Sequence, residues 1–264
     1  MPTVDENKAM WDGEYRWTSR GDEWSECWGS PSMEWFGTIL PRIKSFLPTK
    51  TILEIACGHG RWTEFLKNEC KHLVAIDLSH ECIQACKKRF AADSHIEYHL
   101  NDGKSLAMIP DASVNFVFSF DSLVHADAAV MNAYIGALPR ILTQDGVAFM
   151  HHSNLGEYAR YAGIEQVPVV RRLVRWFGLL GPIQWRDFSV DAKKVEALAQ
   201  EHGLQCISQE MVRWGTKRTY LDCFSTIVRS NSPLARSNRV MRNSTFMRDL
   251  KKLLQLSHLY DYKP

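Results

Sequence analysis

The stretch Thr51-Ile-Leu-Glu-Ile-Ala-Cys-Gly-His-Gly60 decides the fold of this chain. Its apolar first half predicts a short strand, and a helical pattern begins directly afterwards and continues over residues 61–69. Between the two, Gly58 and Gly60 permit a turn with positive φ and leave room for a ligand to approach the backbone. The first amides of the following helix point towards this turn, where they favour a carboxylate or another polar group. The stretch therefore predicts a ligand-binding turn.

A second apolar strand, residues 73–77, ends in Asp77. An acidic side chain at the end of the second strand can accept hydrogen bonds from both hydroxyls of a ribose, as it does in dinucleotide-binding folds. Asp77 and the glycine turn together therefore predict a site for a nucleoside.

Strands and helices continue to alternate along the chain. Further strands are predicted at residues 96–100, 114–120 and 147–151, with helices at residues 82–90, 128–142 and 192–202. This alternation predicts an α/β fold with a doubly wound, mostly parallel sheet. Two later strand-like runs, residues 204–214 and 220–228, are joined by Gly215-Thr-Lys-Arg218 and predict a terminal antiparallel hairpin.

Polar side chains stand where the predicted parallel strands end: Glu54, Asp77, Asp102, Asp121 and His151. In open α/β sheets, ligands bind beyond the carboxyl ends of the strands. We therefore expect the functional site at this edge of the sheet.

Composition divides the chain into three predicted parts. Residues 1–47 are an aromatic N-terminal segment with a helix at its end, residues 48–230 are the α/β domain, and residues 231–264 are a basic tail with one amphipathic helix. The aromatic side chains of the first part are Trp11, Tyr15, Trp17, Trp24, Trp28, Trp35 and Phe36. They form either a clamp packed on the core or a lid over a bound ligand.

A helical cap insertion is predicted at about residues 155–190. It contains the run Pro168–Gly181, which is basic and apolar together. This pattern predicts a cap helix whose apolar face packs inside the protein, and contact with a membrane surface or a lipid-linked substrate is the alternative.

Charge and cysteine content exclude several classes of protein. The net charge of +2 gives no case for a nucleic-acid partner. Seven cysteines without a repeating spacing predict free thiols rather than disulfides. Without a signal peptide or an apolar run of about 18 residues, we expect a cytoplasmic protein with no stable membrane insertion. The oligomeric state is not indicated.

The order Glu54-x-x-x-Gly58-x-Gly60, then Asp77, then Asp102, resembles the class I S-adenosylmethionine-dependent methyltransferases over roughly residues 48–228. The resemblance implies S-adenosyl-L-methionine as cofactor and a seven-stranded sheet of order 3-2-1-4-5-7-6. It also implies that the glycine turn holds the methionine part, Asp77 the ribose, and Asp102-Gly103 the adenine. The predicted cofactor-binding residues are Glu54, Ala56, Gly58, Gly60, Asp77, Leu78, Asp102, Gly103, Phe120 and Trp28.

Ala56 departs from the pattern of this family, which usually has its first glycine at that position. Alanine tolerates a turn best with negative φ. We therefore expect a negative φ at Ala56 and an unchanged shape of the turn.

A narrower resemblance concerns the methyl acceptor. The aromatic N-terminal segment, the run Asp121-Ser-Leu-Val-His125 and the run His151-His-Ser-Asn-Leu155 together resemble bacterial methyltransferases that act on sugars or glycan ends. The predicted substrate is thus a small molecule or a glycan. The predicted substrate-binding residues are Asp121, Asn154, Tyr158, Arg186 and Trp214.

Histidines near the strand ends are the candidate catalytic residues. A sulfonium methyl group is already electrophilic, but a sugar hydroxyl needs a base, and histidine suits that role near neutral pH. His125 is the first candidate, followed by His151 or His152, of which at most one can face the site because adjacent strand residues point to opposite faces. Alternatively, Asp121, His151 and Asn154 hold a divalent metal. Histidine does not favour magnesium, so no metal site is predicted.

Two further classes of protein remain as alternatives. The fingerprint of an NAD-dependent oxidoreductase requires a third glycine at position 63, where Thr63 stands. This class also does not explain the predicted terminal hairpin. A non-catalytic S-adenosylmethionine-binding module could contact RNA through the basic tail, which the near-neutral net charge disfavours. The first prediction is therefore an S-adenosylmethionine-dependent methyltransferase, with a hydroxyl as the expected acceptor, and the sequence does not decide between O- and N-methylation.

Overall fold

A computed structural model describes residues 3–166, 185–214 and 219–259 of the chain. Within them an eight-stranded sheet has the order β3-β2-β1-β4-β5-β7-β6-β8. The strands are β1 Thr49–Ile55, β2 Cys70–Asp77, β3 Ile96–Leu100, β4 Val114–Ser119, β5 Leu142–Ser153, β6 Leu204–Val212, β7 Asp222–Arg229 and β8 Arg239–Asn243. The predicted α/β class and the order of the first seven strands are confirmed.

Strand directions follow the predicted pattern. Strands β1 to β5 pair with one another in parallel, while β7 is antiparallel to both β5 and β6. The turn that was predicted to join β6 to β7, residues 215–218, lies outside the described residues, as does the run Pro168–Gly181 of the predicted cap.

Strand β8 was not predicted from the sequence, which indicated only a basic tail after residue 230. The strand pairs with β6 in parallel register, and four of its five residues are exposed. Because backbone hydrogen bonds at a sheet edge need no apolar side chains, the residues of β8 lack the pattern that marks buried strands.

Helices cover both faces of the sheet. The α-helices are α1 Val4–Ala9, α2 Pro31–Glu34, α3 Leu40–Ile43, α4 Thr63–Leu66, α5 His80–Arg89, α6 Ala128–Ile141, α7 Ala192–Glu201 and α8 Phe246–Leu259. Segments of π-helix lie at Met10–Glu14 and Trp35–Ile39. Segments of 3-10 helix lie at Asp22–Trp28, Lys44–Phe46, Leu123–His125 and Leu155–Gln166. One large core contains α6 and α7, and a second large core contains α2, α3, α4, α5 and α8. None of the helices in the described residues is long and apolar enough to cross a membrane.

The aromatic N-terminal segment divides between core and surface. Trp28, Trp35, Ile39 and Ile43 are buried in the second core, and the indole N–H of Trp28 donates a 2.9 Å hydrogen bond to Thr38 Oγ1. These side chains anchor the segment to the sheet. The rings nearer the N-terminus have a different environment, described below.

The backbone at Ala56 contradicts the sequence-based expectation of a negative φ. Ala56 has φ +60°, and Gly58 and Gly60 follow with φ +56° and +84°. The turn therefore keeps the shape that a glycine would adopt, and alanine carries the strain. In the described part of the chain five non-glycine residues have positive φ, and three of them, Ala56, Asp121 and Trp185, line the cavity at the carboxyl ends of the parallel strands. Such strain is typical of functional sites.

Ala56→Gly is expected to raise the free energy of unfolding by about 0.5–1 kcal/mol. The left-handed region costs alanine about 1–2 kcal/mol, and the greater unfolded-state freedom of glycine offsets part of the gain. Urea denaturation should show a higher midpoint at an unchanged m value. Ala112→Gly is the matched control, because Ala112 also has positive φ (46°) but does not line the cavity. A loss of stability in Ala56→Gly alone would contradict the strain argument.

Candidate active site

A cavity of about 640 Å³ lies beyond the carboxyl ends of the parallel strands. Its walls come from the turn after β1 (residues 56–59), from Asp77 and Leu78 after β2, and from residues 120–127 after β4. The N-terminal segment contributes a further wall. This is the edge of the sheet where the sequence predicted the site.

The structure brings many of the predicted site residues together and leaves others outside the cavity. Those that line it are Ala56, Gly58, Asp77, Leu78, Gly103, Phe120, Trp28, Asp121, His125, Arg186 and Trp214. Those that do not are Glu54, Gly60, Asp102, His151, His152, Asn154 and Tyr158.

Asp77 joins the glycine turn to the start of α5. Its Oδ2 accepts a 2.8 Å hydrogen bond from the Gly58 amide, and its Oδ1 accepts a 2.9 Å bond from the Ser79 amide. Burial raises the pKa of Asp77 to about 6, although both hydrogen bonds favour the charged form. A carboxylate has about four lone-pair positions, so Asp77 can still accept hydrogen bonds from a ligand in the cavity.

Gly60 serves packing rather than ligand approach. A Cβ atom at Gly60 would lie 2.4 Å from Cε2 of Phe90, which is buried against the turn. At Gly58 a Cβ would lie 3.3 Å from the ring of Trp17, which lines the cavity. Of the two glycines, Gly58 is therefore the one that keeps the cavity wall free.

Glu54 supports the turn from below. It is fully buried, and its Oε2 accepts a 2.6 Å hydrogen bond from the Thr63 hydroxyl. Burial raises the pKa of Glu54 to about 8. Thr63, which stands where a dinucleotide-binding fingerprint has glycine, thus holds Glu54 in place.

Glu54→Gln is expected to reduce the pH dependence of stability. Because the folded-state pKa of Glu54, about 8, lies above the ordinary value of 4.5, its stabilising contribution is complete below pH 4.5 and is lost as the pH rises through 8. Between about pH 5 and 7 this group should account for a loss of about 2 kcal/mol that the variant lacks. Denaturant titrations at several pH values measure the difference. The exposed Glu201→Gln is the control, and identical pH profiles for all three proteins would refute a buried neutral Glu54.

The predicted adenine end of the site contains Gly103 but not the side chain of Asp102. Asp102 Oδ1 accepts hydrogen bonds from the amides of Lys104 (2.9 Å) and Ser105 (2.6 Å), and these bonds lower its pKa. Asp102 thus shapes the turn. Tyr134 on α6 lines the cavity at this end, and its hydroxyl accepts a 3.0 Å hydrogen bond from Asn101. The sequence did not indicate Tyr134 as a site residue, because the apolar periodicity of its helix predicts only a buried position in the core.

A buried charged cluster was also missed in the sequence. Arg61 lines the cavity and pairs with Asp121 Oδ2 at 2.9 Å, and its guanidinium lies 4.4 Å from the Trp62 ring. Arg61 also approaches Glu34 at 3.7 Å, and Glu34 accepts a 2.6 Å bond from Ser25. Burial raises the pKa of Glu34 to about 8. The position of Arg61 directly after the glycine turn is the sequence feature that could have indicated it as a site residue.

His125 presents a neutral imidazole at the cavity. Its Nδ1 lies 3.1 Å from the carbonyl oxygen of Trp185, which can only accept a hydrogen bond. Nδ1 therefore carries the proton and Nε2 keeps its lone pair. Burial lowers the pKa of His125. Trp185 holds this carbonyl with a strained φ of +62°.

The other two candidate histidines lie below the cavity, and both are fully buried. The Nδ1 atom of His152 lies 2.8 Å from the Ser153 carbonyl oxygen, and its Nε2 lies 2.8 Å from Ser225 Oγ. Burial lowers the pKa of His152 to about 4. His151 accepts a 3.0 Å hydrogen bond from the Asp121 amide through Nδ1. Neither ring lines the cavity, because β5 lies in the middle of the sheet and is covered on both faces.

Asn154 and Tyr158, predicted to bind substrate, instead bond within the fold. Asn154 donates to the Tyr220 carbonyl (2.9 Å) and accepts from the Ala192 amide (3.0 Å). The Tyr158 hydroxyl accepts a 3.1 Å bond from the Tyr220 amide. Among the described residues no group of three histidine, cysteine, aspartate or glutamate side chains is arranged to hold a metal ion.

Arg186 and Trp214 line the cavity and share one partner, Asp222 at the start of β7. Arg186 donates to both carboxylate oxygens, with Nε 2.5 Å from Oδ1 and Nη2 2.7 Å from Oδ2, and Trp214 Nε1 lies 2.5 Å from Oδ2. Asp222 is fully buried, yet the charge of Arg186 holds its pKa well below the ordinary value against the effect of burial. Sequence reasoning did not single out Asp222.

Aromatic rings of the N-terminal segment close over the cavity. Trp17 stacks on His59 with ring centroids 4.2 Å apart, and Trp11 lies 5.9 Å from His125. Tyr15 and Trp24 stack on each other at 5.3 Å. All of these rings line the cavity.

The chain is similar to known methyltransferases in part of its sequence and in its fold. Residues 52–146 match the model of a methyltransferase domain family. Magnesium protoporphyrin IX methyltransferase (ChlM) from Synechocystis PCC 6803 with bound SAH has 13% identity and a TM-score of 0.56, covering 86% of this chain and 100% of that chain. An S-adenosylmethionine-dependent methyltransferase from Clostridium acetobutylicum ATCC 824 has 14% identity and a TM-score of 0.55, covering 74% of this chain and 91% of that chain. No curated protein matches the chain.

A third solved structure extends the same likeness. The complex between the Haloferax volcanii Trm112 methyltransferase activator and the putative methyltransferase contains a chain with 15% identity and a TM-score of 0.53, with 84% of this chain and 97% of that chain covered. At such identities these structures show the fold. The fold is thus that of the methyltransferases to which the chain is similar, and the matched domain lies within it, over residues 52–146.

Proposed function

We propose that the protein transfers the methyl group of S-adenosyl-L-methionine to a hydroxyl of a small natural product, with His125 as general base. One observation carries this proposal: a single cavity joins the glycine turn and Asp77 to an imidazole with a free lone pair. The methyltransferase domain match and the S-adenosylmethionine-dependent neighbours support the choice of cofactor.

The residues present fit an adenosyl ligand. Asp77 has lone pairs to accept two ribose hydroxyls, and Gly58 leaves the wall of the turn free. Leu78, Gly103 and Tyr134 offer apolar surface for a base. The Arg61–Asp121 pair offers one charge of each sign, which suits the carboxylate and ammonium groups of an amino acid.

The chemistry asks little of the protein beyond positioning and proton transfer. When bound, the cofactor supplies an electrophilic methyl group on a sulfonium. His125 holds Nε2 unprotonated because Trp185 fixes the tautomer and burial lowers its pKa. It can therefore take the hydroxyl proton of an acceptor as that oxygen attacks in line.

The character of the cavity favours a neutral, largely apolar acceptor. The charge of Arg186 is compensated by Asp222 and that of Arg61 by Asp121. Much of the remaining wall of the cavity is aromatic, with Trp11, Trp24, Trp185 and Trp214. Aromatic walls bind flat rings well, whereas a sugar with many hydroxyls needs many hydrogen-bond partners. A sugar or glycan acceptor therefore stays the second candidate, supported by the possibility of stacking on Trp214.

The alternative classes have less support. An NAD-dependent oxidoreductase would meet Thr63 where its fingerprint wants glycine, and Thr63 is bonded to Glu54. The described part of the basic tail is a strand and a helix that pack on the sheet, on β6 and on the second core. Its side chains are thus partly committed to the fold rather than to RNA.

Two measurements test the proposal. Thermal unfolding with S-adenosylhomocysteine should show a raised midpoint, while NADH should leave it unchanged. Methyl transfer from radiolabelled S-adenosylmethionine should then be assayed on a panel of neutral phenols and on free sugars. A shift with NADH alone would overturn the class. Methylation of sugars without any methylation of phenols would overturn the proposed acceptor.

A further inference from the structure

A chain of polar contacts runs beneath the cavity from one side to the other. The Asp121 amide donates a 3.0 Å hydrogen bond to His151 Nδ1. On its other side, His151 Nε2 lies 3.3 Å from Asp222 Oδ2. Asp222 in turn binds Arg186. Two charged pairs, Arg61–Asp121 and Arg186–Asp222, are therefore connected through one buried imidazole, and Arg61, Asp121 and Arg186 line the cavity while Asp222 lies behind its wall.

The contacts determine which nitrogen of His151 carries a proton. Because Nδ1 accepts a hydrogen bond from a backbone amide, it has no hydrogen of its own in this arrangement. The proton of the neutral ring is then on Nε2, directed to the side where Asp222 lies. His151 Nε2 makes no hydrogen bond within the described residues, so its attraction to the Asp222 carboxylate is electrostatic. The ring is held between Phe120 and Phe224, each with its centroid 4.7 Å away.

The hydrogen bond to His151 acts on a strained residue. Asp121 has φ +64°, a conformation that is unfavourable for a residue with a Cβ atom. In this conformation its carboxylate reaches Arg61 at 2.9 Å. Without an acceptor for its amide, Asp121 would lose a contact that holds this conformation. Arg61 would then lose a fixed partner.

We propose that His151 is a positioning residue that holds Asp121 against Arg61 on the cofactor side and, through Asp222, Arg186 on the acceptor side. It does not touch the cavity and transfers no proton to or from an acceptor. The inference rests on the proposed function, because it assigns the Arg61–Asp121 pair to the amino-acid end of S-adenosylmethionine.

Three variants separate the two contacts of the ring. His151→Asn keeps a side-chain acceptor near the position of Nδ1, His151→Gln keeps a donor near the position of Nε2, and His151→Phe keeps neither. Calorimetry with S-adenosylhomocysteine should give near wild-type affinity for His151→Asn. Affinity should be about tenfold lower for His151→Gln and His151→Phe, which corresponds to about 1.4 kcal/mol. His95→Asn, at a partly buried histidine bonded to the Lys67 carbonyl away from the cavity, is the control.

The pH profile of methyl transfer provides a second readout, measured on any phenol of the panel that is methylated. If His151 only positions Asp121, the rate of His151→Asn should still rise with pH in the acidic range, because the base that must be deprotonated is another residue. If His151 were the base, the variant would lose this rise. Equal affinities for the Asn and Gln variants would overturn the proposal, and so would loss of this rise in His151→Asn. Failure of the wild-type protein to bind S-adenosylhomocysteine would instead count against the proposed function itself. Circular dichroism melts of all variants identify any that fail to fold.

Discussion

Replacing His125 with alanine is expected to lower kcat for methyl transfer by about 100-fold to 10,000-fold, the usual contribution of a positioned general base. The affinity for S-adenosylhomocysteine should stay close to wild type, since His125 bonds to the Trp185 carbonyl and to none of the residues assigned to the cofactor. Steady-state kinetics with a phenol that the wild-type protein methylates measures kcat, and calorimetry measures the affinity for S-adenosylhomocysteine.

The pH dependence of the same reaction gives a sharper test of His125. Its pKa is lowered by burial, so the neutral, basic form predominates already below the ordinary value of 6.5. The wild-type rate should therefore rise with pH in the acidic range and level off before neutrality. The alanine variant should lose this rise. The exposed His80→Ala is the control, and a wild-type rate in His125→Ala would show that the base lies elsewhere.

Replacing Asp77 with alanine is expected to weaken S-adenosylhomocysteine binding by about 100-fold to 10,000-fold. Two ribose hydroxyls would lose a charged acceptor, and hydrogen bonds to charged groups contribute about 1.5–3 kcal/mol each. The variant also leaves the Gly58 and Ser79 amides without their partner, which loosens the turn itself. Calorimetry measures the affinity, and Asp145→Ala, at an exposed position at the far end of β5, is the control.

Asp77 also predicts how cofactor affinity depends on pH. Because its pKa is raised to about 6, the carboxylate is increasingly protonated below that value and loses its capacity to accept from two hydroxyls. Affinity should fall by up to about tenfold for each pH unit below about 6. Asp77→Asn should show a low affinity without this pH dependence. Unchanged affinity in Asp77→Ala would remove the ribose role from this residue.

Local patterns in the sequence predicted most of the sheet. Residues 96–100 were predicted as a strand, and β3 has those bounds. The same reasoning placed β1, β2 and β4 to within a few residues, because buried parallel strands are short apolar runs between glycine or polar turns. It failed at Arg239–Asn243, where an exposed edge strand has no apolar pattern.

The candidate site was predictable only in part, because some of its contacts join residues that are far apart in the chain. Asp77, Gly58 and His125 stand at strand ends, and the order of strands in a doubly wound sheet brings those ends together. Contacts between residues far apart in the chain carry no such signal. The pairing of Arg61 with Asp121 is of this kind, as is the bond between His125 and the Trp185 carbonyl.

The sequence alone determined that this chain forms an α/β sheet and which edge of that sheet carries the glycine turn and the acidic strand ends, because strand and helix periodicity and turn chemistry are local properties of the chain. Only the tertiary structure decided which polar residues at that edge face the cavity. His125 lines it, while His151 and His152 are buried beneath it. The direction of each side chain depends on the layers packed above and below its strand, and those layers come from distant segments.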